Sequence, residues 1–122
     1  MGKTILVVED HDDNRRIVRD LLSANGYEVI EAHTGLEGVS VAQKHRPDLI
    51  LMDIQLPGID GYEATHRIKS IPDLKAIPIV AVTSYALSGD DKKAFAAGCD
   101  DYVTKPFSPR VLLKKVNSFL NR

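Results

Sequence analysis

Three short apolar runs in this sequence end on side chains that can do ionic chemistry. Ile5-Leu6-Val7-Val8 leads into Glu9-Asp10, Leu49-Ile50-Leu51-Met52 into Asp53, and Ile79-Val80-Ala81-Val82 into Thr83. A fourth, more polar run, Asp101-Tyr102-Val103-Thr104, leads into Lys105-Pro106. If the four endings share one rim of a sheet, three carboxylates, a hydroxyl and an ammonium meet there. Three adjacent carboxylates repel one another and do not all ionise comfortably. A hard divalent cation resolves the conflict. Mg²⁺ takes a few carboxylate or carbonyl oxygens, keeps some waters and leaves room for a phosphate oxygen; Mn²⁺ is the expected substitute. Lys105 supplies a mobile point charge suited to phosphate, and Thr83 a hydroxyl donor. Together these parts fit phosphoryl transfer, where catalysis is mostly positioning and charge neutralisation.

The elements that would hold these side chains are legible in the apolar patterning. The three continuous runs are of strand length and suit strands covered on both faces, as in the middle of a parallel sheet. Tyr27-Glu28-Val29-Ile30-Glu31 is more polar and Asp101 to Thr104 is short, so both belong at sheet edges. Helical periods lie between the strands. Asp12 or Asp13 is placed to cap a helix carrying Ile17, Val18, Leu21 and Leu22, with Asn25-Gly26 as its stop. Leu36, Val39 and Ala42 mark a second helix, and Ala64, Ile68 and Ile71 a third. A fourth, from Gly89 to Gly98, has few large apolar side chains. The fifth has Ser108 as cap, Pro109 in its first turn, and Leu112, Leu113, Val116, Phe119 and Leu120 on one face. Five strands alternating with five helices predict an α/β, doubly wound parallel sheet, and three double-sided strands flanked by two edge-like ones fit the order 2-1-3-4-5. In such a sheet, sites form outside the carboxyl ends of the strands, where the ionic side chains lie.

Length and composition narrow the function classes. At 122 residues the chain is read as one domain, 1–122, with no output domain. Lys and Arg total 16 against 17 Asp and Glu, a net charge of −1, which gives no electrostatic footprint for nucleic acid or anionic membrane. No run approaches the length of a membrane span, and the N-terminus lacks the pattern of a secretory leader, so a cytoplasmic protein is expected. Met1-Gly2 does not continue into a myristoylation signal, because Leu6 stands where Ser or Thr is needed. The lone Cys99 reads as a small buried side chain.

The motifs Val8-Glu9-Asp10, Leu51-Met52-Asp53-Ile54-Gln55-Leu56-Pro57-Gly58-Ile59-Asp60-Gly61, Val82-Thr83-Ser84 and Thr104-Lys105-Pro106-Phe107, in this order, resemble the receiver domains of bacterial two-component response regulators. The resemblance runs the whole length of the chain, and its short form is similar to the single-domain, DivK-like members. It implies the flavodoxin-like (βα)5 fold and carries the 2-1-3-4-5 order with it, so that order is not an independent inference from patterning. It implies Asp53 as phosphoacceptor for a phosphohistidine on a sensor histidine kinase or histidine phosphotransferase. It also implies Mg²⁺ held by Asp10, Asp53 and the backbone carbonyl of Gln55, with Glu9 acting largely through water. Thr83, Ser84 and Lys105 would bind the phosphoryl group, the Lys105-Pro106 bond would be cis, and Thr83 with Tyr102 would form a switch pair. Phosphorylation would shift the face built from the fourth helix, fifth strand and fifth helix and so change affinity for a downstream protein target. A monomer is expected, with dimerisation on phosphorylation as the variant. The chain would be an acceptor that assists its own phosphorylation and slow dephosphorylation, not an enzyme. Glu9 in place of the frequent aspartate and Ser84 in place of alanine depart from the commonest pattern, and Gln55 and Tyr85 occupy variable positions beside the site.

Two other readings stand beside this one. A Mg²⁺-dependent aspartate-based phosphatase or phosphotransferase also phosphorylates an aspartate, yet such enzymes place a second acid where Gln55 lies. A phosphorylation-independent docking module would need none of the acidic, threonine and lysine set. Taken singly, Glu9-Asp10 reads as a solvated turn, Lys105 as a surface lysine, Thr83 as a satisfied strand hydroxyl and Tyr102 as edge-strand packing. His11, His33, His45 and His66 show no metal-ligand spacing with one another or with Cys99, and His11 reads as a solvated loop residue. Gly2-Lys3-Thr4 mimics the end of a phosphate-binding loop but precedes a strand and lacks the upstream glycine.

Overall fold

A computed structural model of the chain describes residues 2–84 and 90–120. Its elements are β1 (Thr4–Val8), α1 (Asp12–Ala24), β2 (Glu28–Ala32), α2 (Gly35–His45), β3 (Leu49–Asp53), α3 (Gly61–Lys69), β4 (Ile79–Thr83), α4 (Asp90–Ala97), β5 (Asp101–Thr104) and α5 (Pro109–Leu120). The strands form a five-stranded sheet in the order β2-β1-β3-β4-β5, every pairing parallel, the order that the family resemblance carries and the patterning fits.

The three apolar runs are buried throughout because each strand sends alternate side chains into one of two cores. Leu6, Val8, Ile50, Met52, Ile79 and Ala81 face α2, α3 and α4, meeting Ala42, Ala64, Ile68 and Ala94. Ile5, Val7, Leu49, Leu51, Val80 and Val103 face α1 and α5, meeting Leu22, Leu112 and Val116. Helices on both faces leave the ends of the sheet as the place where strand-end side chains gather. Cys99 is buried against Thr65, and burial pushes its thiol up to about 11, so it is an inert core residue at neutral pH.

Several helix boundaries have causes that patterning hid. Asp12 and Asp13 do not cap α1: the N-cap is His11, with no side-chain cap bond. Both aspartates lie in the first turn, where their carboxylates bind Arg15 and Arg16 three residues on. The caps of α2 and α3 are side-chain oxygens, Thr34 accepting from the Glu37 N–H and Asp60 from the Glu63 N–H. Ser108 caps α5 as expected, accepting from the Val111 N–H at 3.1 Å. Ile17 and Leu36, placed by periodicity on apolar faces, are 64% and 58% exposed. The buried stripe of α1 runs through Arg15, Val18 and Leu22, and Ile17 lies off it. Ile71 lies beyond the end of α3, half-buried in the following connection. No helix among the described residues is long and apolar enough to cross a membrane.

Candidate functional site

The parallel ladder delivers four strand ends to one rim. The Glu9 N–H continues the β1–β2 ladder to the Ala32 carbonyl at 3.1 Å, and the Ile54 N–H continues β3–β4 to the Val82 carbonyl at 3.0 Å. The Lys105 N–H reaches the Thr83 carbonyl at 2.7 Å. Each extension fixes the backbone that carries an ionic side chain, so Glu9, Asp53 and Lys105 converge although up to 96 residues separate them.

Lys105 Nζ lies between two buried carboxylates, 3.1 Å from Glu9 Oε1 and 3.3 Å from Asp53 Oδ2. Asp53 is 2% exposed and Glu9 6%. Burial, and next the Glu9 carboxylate beside it, push Asp53 up to about 6, against the pull of Lys105. Burial also works to raise Glu9, but Asp53, the His11 N–H and Lys105 outweigh it and hold Glu9 below the usual range. Burial disfavours the Lys105 ammonium, and the two carboxylates more than restore it.

Asp10 completes the acidic group. Its Oδ1 is buried and has no hydrogen-bond partner; His11 Nδ1 lies 3.3 Å away without the orientation for a hydrogen bond. One ligand atom each from Glu9, Asp10, His11 and Asp53 lie within 4.8 Å of one another. A buried carboxylate oxygen without a donor is costly unless a cation completes it, so this donor set fits a divalent ion.

The other predicted residues border this centre. Gln55 gives its backbone N–H to Asp53 Oδ1 at 3.2 Å, and its side-chain Oε1 accepts the Ser84 N–H at 3.3 Å. Thr83 is 1% exposed, and Ser84 is exposed. The Lys105-Pro106 bond is cis. Tyr102, half-buried, pairs with Ala81 across the β4–β5 ladder and shares its sheet face with Thr83, two residues along β4. Its ring meets Phe95 of α4 edge-on, with centroids 6.0 Å apart. Tyr85 lies outside the described residues.

Two contributors escaped the sequence reading. Arg15 is 8% exposed and forks across three segments: Nη1 donates to the Glu9 carbonyl at 2.8 Å, Nε to Glu31 at 2.9 Å, and Nη2 to Asp12 at 2.5 Å. An arginine in a charged helix start has no sequence signal for burial; only the meeting of β1, β2 and α1 creates one. Arg15→Ala is expected to cost about 1–2 kcal/mol in urea denaturation, by stripping a buried carbonyl of its donor. Arg15→Lys should recover less than half of that, since an ammonium cannot reproduce the fork. The second is His11, read from the sequence only as a solvated loop residue, whose ring nitrogen Nδ1 lies 3.3 Å from both Glu9 Oε2 and Asp10 Oδ1.

Comparison with known proteins gives a consistent picture. The family model described as the response regulator receiver domain matches residues 5–117. The chain is 43% identical over 120 residues to the polar-differentiation response regulator DivK of Brucella anthropi, covering 98% of each. Among solved structures, it is similar to the receiver domain of the sensor histidine kinase PA1611 from Pseudomonas aeruginosa, which has a magnesium ion coordinated in its active-site cleft (TM-score 0.93, 36% identity, 100% of both chains). It is also similar to the chemotaxis protein CheY4 of Vibrio cholerae (TM-score 0.93, 31% identity, 98% of this chain and 100% of that one).

Proposed function

The chain belongs to the response regulator receiver family of two-component signalling, and on that basis we propose that it is a phosphorylation switch with Asp53 as the acceptor. The observation that carries the reading is the placement of Asp53. It is a carboxylate buried at a strand end, with an ammonium 3.3 Å away and an unpartnered carboxylate oxygen of Asp10 in the same cluster. Burial of this kind costs the fold, and chemistry is its evident return.

Transfer begins from a phosphohistidine on a sensor kinase or histidine phosphotransferase. An Asp53 carboxylate oxygen attacks the phosphorus of a phosphohistidine whose other ring nitrogen carries a proton. The new O–P bond forms as the P–N bond breaks, the imidazole nitrogen leaves with the electron pair, and the retained proton keeps the ring neutral. The product is an acyl phosphate and a neutral histidine on the donor. Glu9, Asp10, Asp53 and the Gln55 carbonyl would hold Mg²⁺, which when bound neutralises charge on the phosphoryl oxygens and on the acidic group. Lys105 exchanges one of its carboxylate partners for a phosphoryl oxygen, and the hydroxyls of Thr83 and Ser84 donate to others. A cavity of about 540 Å³, bounded by Glu9, Asp53, Lys105, Ile17 and Phe107, opens beside the acceptor and gives a donor side chain room to approach.

Thr83 and Tyr102 stand on one face of adjacent strands, so movement of the Thr83 hydroxyl toward the phosphoryl group frees space that Tyr102 fills. That exchange shifts the population of the α4–β5–α5 face and thereby its affinity for a downstream protein. Thr83→Ala with Tyr102→Ala should abolish the dependence of partner binding on phosphorylation.

The central test is the intact mass of the protein after incubation with Mg²⁺ and a small-molecule phosphodonor. One phosphoryl group is expected on the wild type, and none on Asp53→Asn or when Mg²⁺ is omitted. Unmodified wild type with Mg²⁺ demonstrably bound would remove Asp53 as the acceptor for such donors.

A further inference from the structure

We propose that His11 is itself a metal ligand, and that its imidazole makes this centre favour first-row transition ions such as Mn²⁺ and Co²⁺ over Mg²⁺ more strongly than an all-oxygen site would. The proposal rests on the reading of Glu9, Asp10 and Asp53 as a metal site and extends it by one donor of a different kind.

The geometry comes from the loop that joins β1 to α1. His11 Nδ1 is 3.3 Å from Glu9 Oε2 and 3.3 Å from Asp10 Oδ1, the buried oxygen that has no hydrogen-bond partner. A six-coordinate ion with bonds of about 2.1 Å spaces adjacent ligands about 3.0 Å apart and opposite ones about 4.2 Å apart. The two 3.3 Å separations match adjacent coordination positions. The 4.8 Å limit for the whole group asks for a contraction of a few tenths of an ångström, well within side-chain reach.

The ring is aimed by its own backbone. The His11 N–H donates to Glu9 Oε2 at 3.1 Å, and His11 is the extended N-cap of α1, with φ −86° and ψ 118°. Its imidazole is thereby turned back over the carboxylates. The ring is 67% exposed, and Nδ1 is also within hydrogen-bond distance of Glu9 Oε2, a bond that ligation through the unprotonated Nδ1 would replace. Lys105 takes the other Glu9 oxygen, Oε1, leaving Oε2 on the imidazole side. Asp12, the next acid along, is tied to Arg15 and does not compete for the ring.

Donor chemistry then sets the preference. Mg²⁺ is hard, dehydrates reluctantly and gains little from an imidazole nitrogen. Affinity for nitrogen-containing sites rises from Mn²⁺ through Co²⁺ along the divalent first-row series. An added imidazole therefore changes the ratio of affinities between ions more than it changes Mg²⁺ binding.

The experiment uses the untagged full chain and the metals alone. Mg²⁺, Mn²⁺ and Co²⁺ are titrated calorimetrically into wild type, His11→Ala and Asp53→Asn, and pulsed EPR on the Mn²⁺ form reads any coupling to a ¹⁴N nucleus. The His11→Ala change leaves the backbone N–H in place and removes only the ring. The expected result is a ¹⁴N coupling in wild type that is lost in His11→Ala, with Mn²⁺ and Co²⁺ weakened about tenfold and Mg²⁺ altered less than about twofold. Asp53→Asn should weaken all three ions. Tight metal binding with no ¹⁴N coupling, and unchanged ion ratios in His11→Ala, would overturn the role of His11 while leaving the carboxylate centre standing. A coupling that survives in His11→Ala would place the nitrogen elsewhere and overturn it too. Failure of every ion to bind would remove the metal-site reading itself, and this proposal with it.

Discussion

Asp53→Asn is expected to make the metal-free protein more stable than the wild type, by about 1–2 kcal/mol at neutral pH. The cause is the buried carboxylate, raised from its ordinary 3.8 to about 6 by burial and by Glu9. Below pH 3.8 the group is protonated in folded and unfolded chains alike, and the substitution gains nothing on this account. Between pH 3.8 and about 6 the unfolded chain gives up its proton first, so the wild type loses stability relative to the variant as pH rises. Above about 6 the gap is constant. Taken alone, the displacement of Asp53 bounds it at about 3 kcal/mol, and the opposite displacement of Glu9, which favours the ionised fold, reduces it. Urea denaturation of both proteins at several pH values, in chelator, reads the effect directly. A gap that is absent at pH 7.5, or that grows toward low pH, would contradict the proposed electrostatics. Saturating Mg²⁺ should narrow or invert the gap, because only the wild type keeps the full acidic group to bind it.

Gly61→Ala is expected to destabilise the protein by about 2–3 kcal/mol and to loosen its hold on Mg²⁺. A Cβ at Gly61 would lie 2.3 Å from the Asp53 carbonyl oxygen and 2.7 Å from Ile54 Cα. Both neighbours are backbone, so no rotamer change relieves the contact. Gly61 opens α3 immediately after the Asp60 cap, and its N–H is fixed to the Ile54 carbonyl at 3.0 Å. Relief requires shifting either the start of α3 or the chain leaving β3, which is the segment that aims Asp53. A denaturation midpoint equal to that of the wild type would show that the close approach is not a constraint. Unchanged Mg²⁺ affinity in a destabilised variant would show that the strain is taken up by α3 and not by the acceptor strand.

The sequence makes the strand ends legible because a parallel sheet buries both faces of its central strands. Three continuous apolar runs then mark those strands without ambiguity, and the residue after each run must stand at the rim. Glu9, Asp53 and Thr83 follow from that alone. What patterning does not reveal is who holds the rim in place. Arg15 falls on the same helical face as Val18 and Leu22, yet its residue type reads as solvent-exposed, and the Glu9 carbonyl, Glu31 and Asp12 arriving from three segments turn it into a buried fork. Asp12 and Asp13 look like caps by residue type, but salt bridges to Arg15 and Arg16 claim them. The exposure of Ile17 and Leu36 has the same lesson: helical period locates a face, while its width depends on what the sheet offers opposite. Gly61 lies inside a recognisable motif, yet its steric role appears only when the turn after Asp53 is closed.

The 96-residue span between Glu9 and Lys105 has a consequence for biosynthesis. A chain still emerging from the ribosome exposes Glu9, Asp10 and Asp53 long before the lysine that sits between them exists. Until β5 docks beside β4, the edge of that strand is unpaired and the acidic cluster lacks its ammonium. The last strand in chain order is therefore the one that completes the charge balance, and the centre is unfinished until that strand docks.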